Sequence, residues 1–259
     1  MADLTNDKFW SERWTNNAGG SLARPILLSN REGSKVLSNV VAPLVQGGKV
    51  IELGAAPGSV LVQYNAIRPD LILDGVDISQ SGIEKTHKLF QQKKIKGKIH
   101  LEDFRKEDTA LYNQYDLVCS HGLIEHFDDF QNVIRDHFKF VKDGGRIFIS
   151  IPNYSTGIVK FLLSLFSKET MDAHNFDSMD LEKLKESFNY PDVEIEAIGA
   201  YGGPMFPHSA INPGIRGKLY RKFCQAWNIT FSVLGILTND KLVPRFWNSN
   251  YYIIANLKK

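Results

Sequence analysis

Val50-Ile51-Glu52-Leu53-Gly54-Ala55-Ala56-Pro57-Gly58 is a short apolar run that breaks into a glycine-bearing turn, and Asp77 follows it one βα unit later. An apolar run of this length closed by glycine reads as a buried strand. In an open parallel sheet, small residues at the strand's carboxyl end let a ligand approach the backbone, and the later carboxylate accepts hydrogen bonds from ribose hydroxyls. The stretch predicts an adenosine-containing cofactor at the edge of such a sheet. By itself it does not decide between a dinucleotide and a sulfonium donor.

Working outward, short apolar runs alternate with longer amphipathic ones from Lys49 to Asn153, the mark of βαβ units. Strands are expected at Lys49–Leu53, Leu71–Asp77, Lys98–Leu101, Tyr115–Ser120 and Arg146–Ile151. Helices are expected near Ser59–Ile67, Ser81–Lys93 and Asp129–Phe140, with Ser79 as a cap and Lys142–Gly145 as a turn before the fifth strand. Asn6–Trp14 and Lys35–Val45 read as earlier helices joined by a Gly/Ser/Asn-rich loop. Gly157–Phe166, Asp180–Phe188 and about Arg216–Leu234 read as later ones, and Val193–Ile198 and Tyr251–Asn256 as a late pair of strands. No linker argues for a second folding unit. Residues 1–48 are expected as a helical cover, 49–153 as the cofactor-binding core and 154–259 as the substrate side of one domain.

The bulk properties narrow the function. A net charge of +2 predicts no strong attraction to nucleic acid. With Cys119 and Cys224 the only cysteines, neither a disulfide framework nor a cysteine-rich zinc site is available. Met1–Trp14 lacks the apolar core of a signal peptide, and the longest apolar runs are far short of the ~20 residues of a spanning helix. The expected location is the cytoplasm, with peripheral membrane contact left open.

Five segments in order resemble the class I S-adenosylmethionine-dependent methyltransferases, over roughly Val36 to Asn153. They are the Glu52–Gly58 turn, Gly75-Val76-Asp77-Ile78-Ser79, Glu102-Asp103-Phe104, Tyr115–Ser120 running into His121-Gly122-Leu123-Ile124-Glu125-His126-Phe127, and Gly144–Asn153. The resemblance implies a Rossmann-like α/β fold: a seven-stranded, mostly parallel sheet of order 3-2-1-4-5-7-6, helices on both faces and a helical insertion before the last strand. The late strand pair supplies the two strands the topology requires. The turn departs from the family's usual glycine at Ala56-Pro57, a form that also occurs in heat-shock-type RNA 2′-O-methyltransferases. Their Lys-Asp-Lys-Glu tetrad is missing, since Ser120-His121 and Arg146–Ile151 stand in its place.

The resemblance also implies the site. Glu52, Gly54, Ala55, Pro57 and Gly58 form the turn, Asp77 takes the ribose with Ile78 beside the ring, and Asp103 with Phe104 takes the adenine. Ser120 and His121 end the fourth strand by the cofactor's methionine portion. His121 and His126 are the candidate catalytic residues, since a hydroxyl acceptor needs a base while an amine needs only to be unprotonated. His126 has a second reading, fixing its loop through a backbone carbonyl. Trp10 or Trp14 either stands near the sulfonium or packs on the sheet edge. Phe161, His174 and Trp227 are the acceptor-side candidates, and His87, His100 and His137 are expected at the surface. No metal cluster is apparent, so chelators are expected to leave activity intact.

The expected activity is methyl transfer from S-adenosylmethionine to a small-molecule acceptor, at oxygen, with an apolar or lipid-linked acceptor suggested by the helical stripes near Phe161 and Trp227. Three other readings stay open: a nicotinamide-dependent oxidoreductase, an RNA 2′-O-methyltransferase, and a non-catalytic cofactor-binding relative. The sequence is silent on oligomeric state.

Overall fold

A computed structural model of the chain describes residues 3–16, 28–106, 109–208 and 210–258. The expected loop between the first two helices lies outside them. Seven strands form one sheet: β1 (Lys49–Leu53), β2 (Ile72–Asp77), β3 (Ile99–Leu101), β4 (Tyr115–His121), β5 (Val141–Pro152), β6 (Val193–Tyr201) and β7 (Asn250–Leu257). Their order is β3-β2-β1-β4-β5-β7-β6. Strands β1 to β5 pair in parallel, and β7 runs antiparallel to both neighbours. This is the order the sequence led us to expect.

The apolar run reads as a strand because both faces of the sheet are covered. Val50, Leu117, Cys119 and Phe148 pack with residues of α2 (Leu28–Val41), α3 (Ser59–Ile67) and α4 (Gln80–Lys93). Ile51, Val118, Ile147 and Ile149, one residue out of phase, pack with α5 (Phe130–Phe140). Ser79 caps α4 by accepting from the Gly82 amide, and Asp129 caps α5 through the Asn132 amide. Asp116 anchors the start of β4, accepting from the Lys49 amide at 2.8 Å and pairing with Lys142 at 2.5 Å.

Two boundaries differ from expectation. Lys142–Gly145 is a bulge inside β5, where pairing jumps from Tyr115↔Val141 to Leu117↔Arg146 and Gly144 takes a φ of 70°. The second helix starts at Leu28 and stops at Val41, earlier at both ends than its apolar pattern suggested.

The remaining helices are α1 (Asp7–Asn16), α6 (Gly157–Phe166), α7 (Lys168–Asp172), α8 (Leu181–Glu186) and α9 (Ile215–Thr238), of which α1 and α7 border the carboxyl ends of the central strands. Helix α1 is tied to α4, with the Ser81 hydroxyl donating to the Ser11 carbonyl at 2.9 Å and Lys85 bonding the Trp14 carbonyl. Helices α6 and α9 meet through Val159, Leu163, Tyr220 and Cys224, and the Phe166 ring stacks on Tyr220 at 4.5 Å.

Candidate active site

The carboxyl ends of β1, β2 and β4 open into a cavity of about 370 Å³, roofed by Phe9, Trp10, Arg13 and Trp14 of α1. Gly54 and Ala56 form its floor. Gly54 holds a φ of 72°, and a Cβ there would come within 2.8 Å of Leu123 Cδ1, so a side chain would fill the cradle. Ala55, Pro57 and Gly58 are buried behind the turn and do not line this cavity. Their part is support: the Ala55 side chain packs on Gly75, and a Cβ at Gly58 would strike Thr86 at 2.6 Å.

Asp77 ends β2 at the cavity edge. Its Oδ2 accepts the Ala56 amide at 2.9 Å and its Oδ1 the Ser79 amide at 2.8 Å. These bonds fix the carboxylate and leave lone pairs for a diol. Burial pushes its carboxyl up, against the pull of those amides. Glu52, one turn deeper, is 3% exposed, and its Oε2 has no partner among the described residues. Burial first, and then the Asp77 charge, raise its carboxyl well above the ordinary range. Like Ala55, Pro57 and Gly58, Glu52 lies behind the turn and does not line the cavity. Cradle and fixed carboxylate together fit an adenosylated ligand.

Asp103, Phe104 and Ile78 line the opposite end. Arg105, which the sequence reading overlooked, grips Asp103 and also bonds Asp3 at 2.6 Å, while its guanidinium lies 5.1 Å over the Phe127 ring. Burial pushes the Asp103 carboxyl up, but the Arg105 fork outweighs it and holds the group below its ordinary value.

The residues after β4 divide. The Ser120 side chain points the other way, fully buried, with Oγ 2.9 Å from His137 Nε2, so its expected place beside the cofactor is corrected. Ser120 shares the face of Val118, which is covered by α5. His137 is likewise no surface group: it is fully buried, and its Nδ1 donates to the Val133 carbonyl at 2.8 Å. His121 shares the other face and reaches Tyr64 OH at 3.3 Å. With Gly122 and Pro152 it lines both the main cavity and a second one of about 290 Å³. Burial lowers its pKa from 6.5 to about 3, so the ring is uncharged at neutral pH.

His126 and His174 meet in the main cavity, with ring centroids 4.6 Å apart and the Trp10 ring 4.9 Å from His126. His126 Nδ1 donates to the Ala173 carbonyl and His174 Nδ1 to the Thr170 carbonyl, each at 2.7 Å. Burial lowers them to about 3 and about 4 respectively. Glu125 lies beside them, raised to about 8 by burial. Trp10 and Trp14 both line the cavity, while α1 packs on α4.

Two acceptor-side expectations are corrected. Phe161 is 61% exposed, because α6 buries Val159 and Leu163 and turns the next face outward. Trp227 is held in an aromatic cluster with Phe206 and Trp247, its Nε1 donating to the Pro204 carbonyl at 2.6 Å. Neither borders the cavities described here; of the three candidates, only His174 does.

Sheet order, cradle and paired acids define a class I S-adenosylmethionine-dependent methyltransferase. The model of a methyltransferase-domain family matches residues 29–195, and the chain belongs to that family. S-adenosylmethionine is its methyl donor. It is similar to the ubiquinone biosynthesis O-methyltransferase of Coxiella burnetii, 26% identical over 68% of this chain and 73% of that protein. Among solved structures, the plantazolicin methyltransferase BpumL in complex with SAH shares the fold, with a TM-score of 0.58, 16% identity and coverage of 96% of this chain and 89% of that one. The geranyl diphosphate C-methyltransferase of Streptomyces coelicolor does so with a TM-score of 0.57, 11% identity and coverage of 88% and 78%.

Proposed function

We propose that the protein methylates an oxygen of a small-molecule acceptor. The observation that carries this reading is the cavity's continuity: beyond the Gly54–Asp77 cradle it runs on past Glu125, His126, Tyr154 and His174, polar or amphipathic groups facing one space. The curated relative's name adds support for oxygen.

In this reading Asp77 holds the ribose, Asp103 and Phe104 the adenine, and Glu52 orders the turn behind the methionine end. When bound, S-adenosylmethionine supplies an electrophilic methyl group. The chain's own task is alignment and exclusion of water, which α1 performs by roofing the cavity with two tryptophans. Arg13 pins that roof to Glu169 at 3.1 Å. The test is a methyl-transfer assay across matched hydroxyl and amine acceptors. Labelled methyl on hydroxyl acceptors is expected; transfer to the amines alone overturns the oxygen assignment.

A specific observation also favours an acceptor met at a membrane surface. Helices α6 and α9 expose Phe161, Leu165, Leu219 and Phe223. Helix α9 adds exposed Arg216, Lys218, Arg221 and Lys222, and neither helix contains an acidic residue. Apolar surface with basic residues suits anionic lipid. No helix among the described residues is long and apolar enough to cross a membrane. Sedimentation with anionic vesicles, absent with neutral ones and lost in Phe161→Ser/Phe223→Ser, is the expected result; equal binding to both vesicle types counts against it.

A further inference from the structure

The sequence showed no metal cluster, and the fold corrects that expectation: Glu125, His126 and His174 each offer a donor atom, and these atoms lie within 4.8 Å of one another. With bonds of about 2.1 Å at tetrahedral angles, two donors on one ion stand about 3.4 Å apart, so the widest gap closes by up to about 1.4 Å when an ion binds. Both imidazoles are prepared for this. A carbonyl only accepts, so the 2.7 Å bonds from His126 to Ala173 and from His174 to Thr170 put the proton on Nδ1 and leave Nε2 as a lone pair. Glu125 is 1% exposed, and its Oε2 has no partner among the described residues.

The backbone clamps the cluster. The Asn175 amide donates to the Glu125 carbonyl at 2.6 Å, and the Asn175 side chain donates to the carbonyls of Phe127 and Asp128 at 3.0 Å each. Two distant segments are thereby locked in the arrangement that brings the three donors together.

We propose that Glu125, His126 and His174 bind a divalent first-row transition ion, zinc foremost, in the acceptor half of the cavity. Two imidazoles and one carboxylate suit such an ion better than magnesium or calcium, which prefer all-oxygen sites. Three protein ligands leave a coordination position open, and all three residues line the cavity. A hydroxyl bound there is acidified by the ion and gives its proton to solvent. This suits the site, because imidazoles whose Nδ1 is held by a carbonyl present Nε2 as a ligand. That use of the ion rests on the oxygen reading above; metal binding does not, so the two fail separately.

The test is equilibrium dialysis of the full chain against zinc, with metal analysis. The expected result is one ion per wild-type chain, at least tenfold weaker binding in Glu125→Gln and His174→Ala, and no change in His87→Ala, whose ring is exposed on α4. Zinc should also raise the Tm of wild type and not of Glu125→Gln. S-adenosylhomocysteine titration of each variant reports whether the fold is retained, and if His174→Ala does not fold, the near-isosteric Glu125→Gln decides. Wild type without bound zinc, or a folded Glu125→Gln that binds as tightly as wild type, overturns the site.

Discussion

Arg105 holds both oxygens of Asp103, with Nε 2.9 Å from Oδ1 and Nη2 2.8 Å from Oδ2. The same guanidinium bonds Asp3, so one side chain joins the Asp103 end of the cavity to the strand bridge Asp3↔Phe127. Arg105→Ala frees all three groups. It should weaken S-adenosylhomocysteine binding by about 1–2 kcal/mol and leave the rate at saturating donor nearly unchanged. Calorimetric titration checks it; an unaltered Kd means the adenine end is positioned without the arginine.

Asp77→Ala removes the carboxylate fixed by the Ala56 and Ser79 amides. The expected loss in S-adenosylhomocysteine affinity is about 1–3 kcal/mol. Equal affinity in a folded variant removes Asp77 from the site.

Gly54→Val tests the cradle. A side chain there meets both an unfavourable φ and Leu123 at 2.8 Å. Binding should fall below detection and Tm should drop, since a β-branched residue at positive φ costs more than ~1 kcal/mol. Retained binding indicates that the ligand lies elsewhere.

The two corrected aromatic positions separate in stability. Exposed Phe161→Ala should change unfolding by no more than about 0.5 kcal/mol. Trp227→Ala removes the Pro204 hydrogen bond and contacts to four aromatic neighbours and should cost about 2–4 kcal/mol. Denaturant titration distinguishes them, and similar values would contradict the placement of Trp227.

His137 gives a pH test. Its folded pKa is lowered from 6.5 to about 4, by burial. On acidification the unfolded chain therefore takes up the proton first. Its contribution is full above about pH 6.5 and is lost as pH falls toward about 4, on the order of 3 kcal/mol in all. Glu125 titrates with the opposite sign: raised to about 8, it favours the folded state below about 4.5 and loses that contribution as pH rises through 8. The difference between wild type and His137→Gln isolates the histidine, and a difference flat between pH 7 and 4 contradicts its burial.

The sheet was legible because its strands obey a period that both covered faces enforce, as at Val50 against Ile51. The turn and Asp77 were legible because cradle and acid are close in sequence. Ser120 was misread because one residue of alternation sends it to α5 while His121 faces α3. Arg105 left no signal, since its fork onto Asp103 is a matter of rotamer and not of pattern. Phe161 and Trp227 share an apolar periodicity that says a helix has a greasy face without saying what covers it. Glu125 stood in plain view beside His126, but its third companion, His174, is brought near only by the Asn175 clamp.

Strand β7 lies between β5 and β6, although β6 precedes it in the chain. Until residues 250–257 arrive, β6 has no partner at the sheet edge, and residues 202–249 must already have looped out to allow that arrival. Assembly of this edge therefore rests on pairing between segments far apart in the chain. A chain cut anywhere ahead of Asn250 loses two strands, and with them the Arg146–Glu196 tie between β5 and β6.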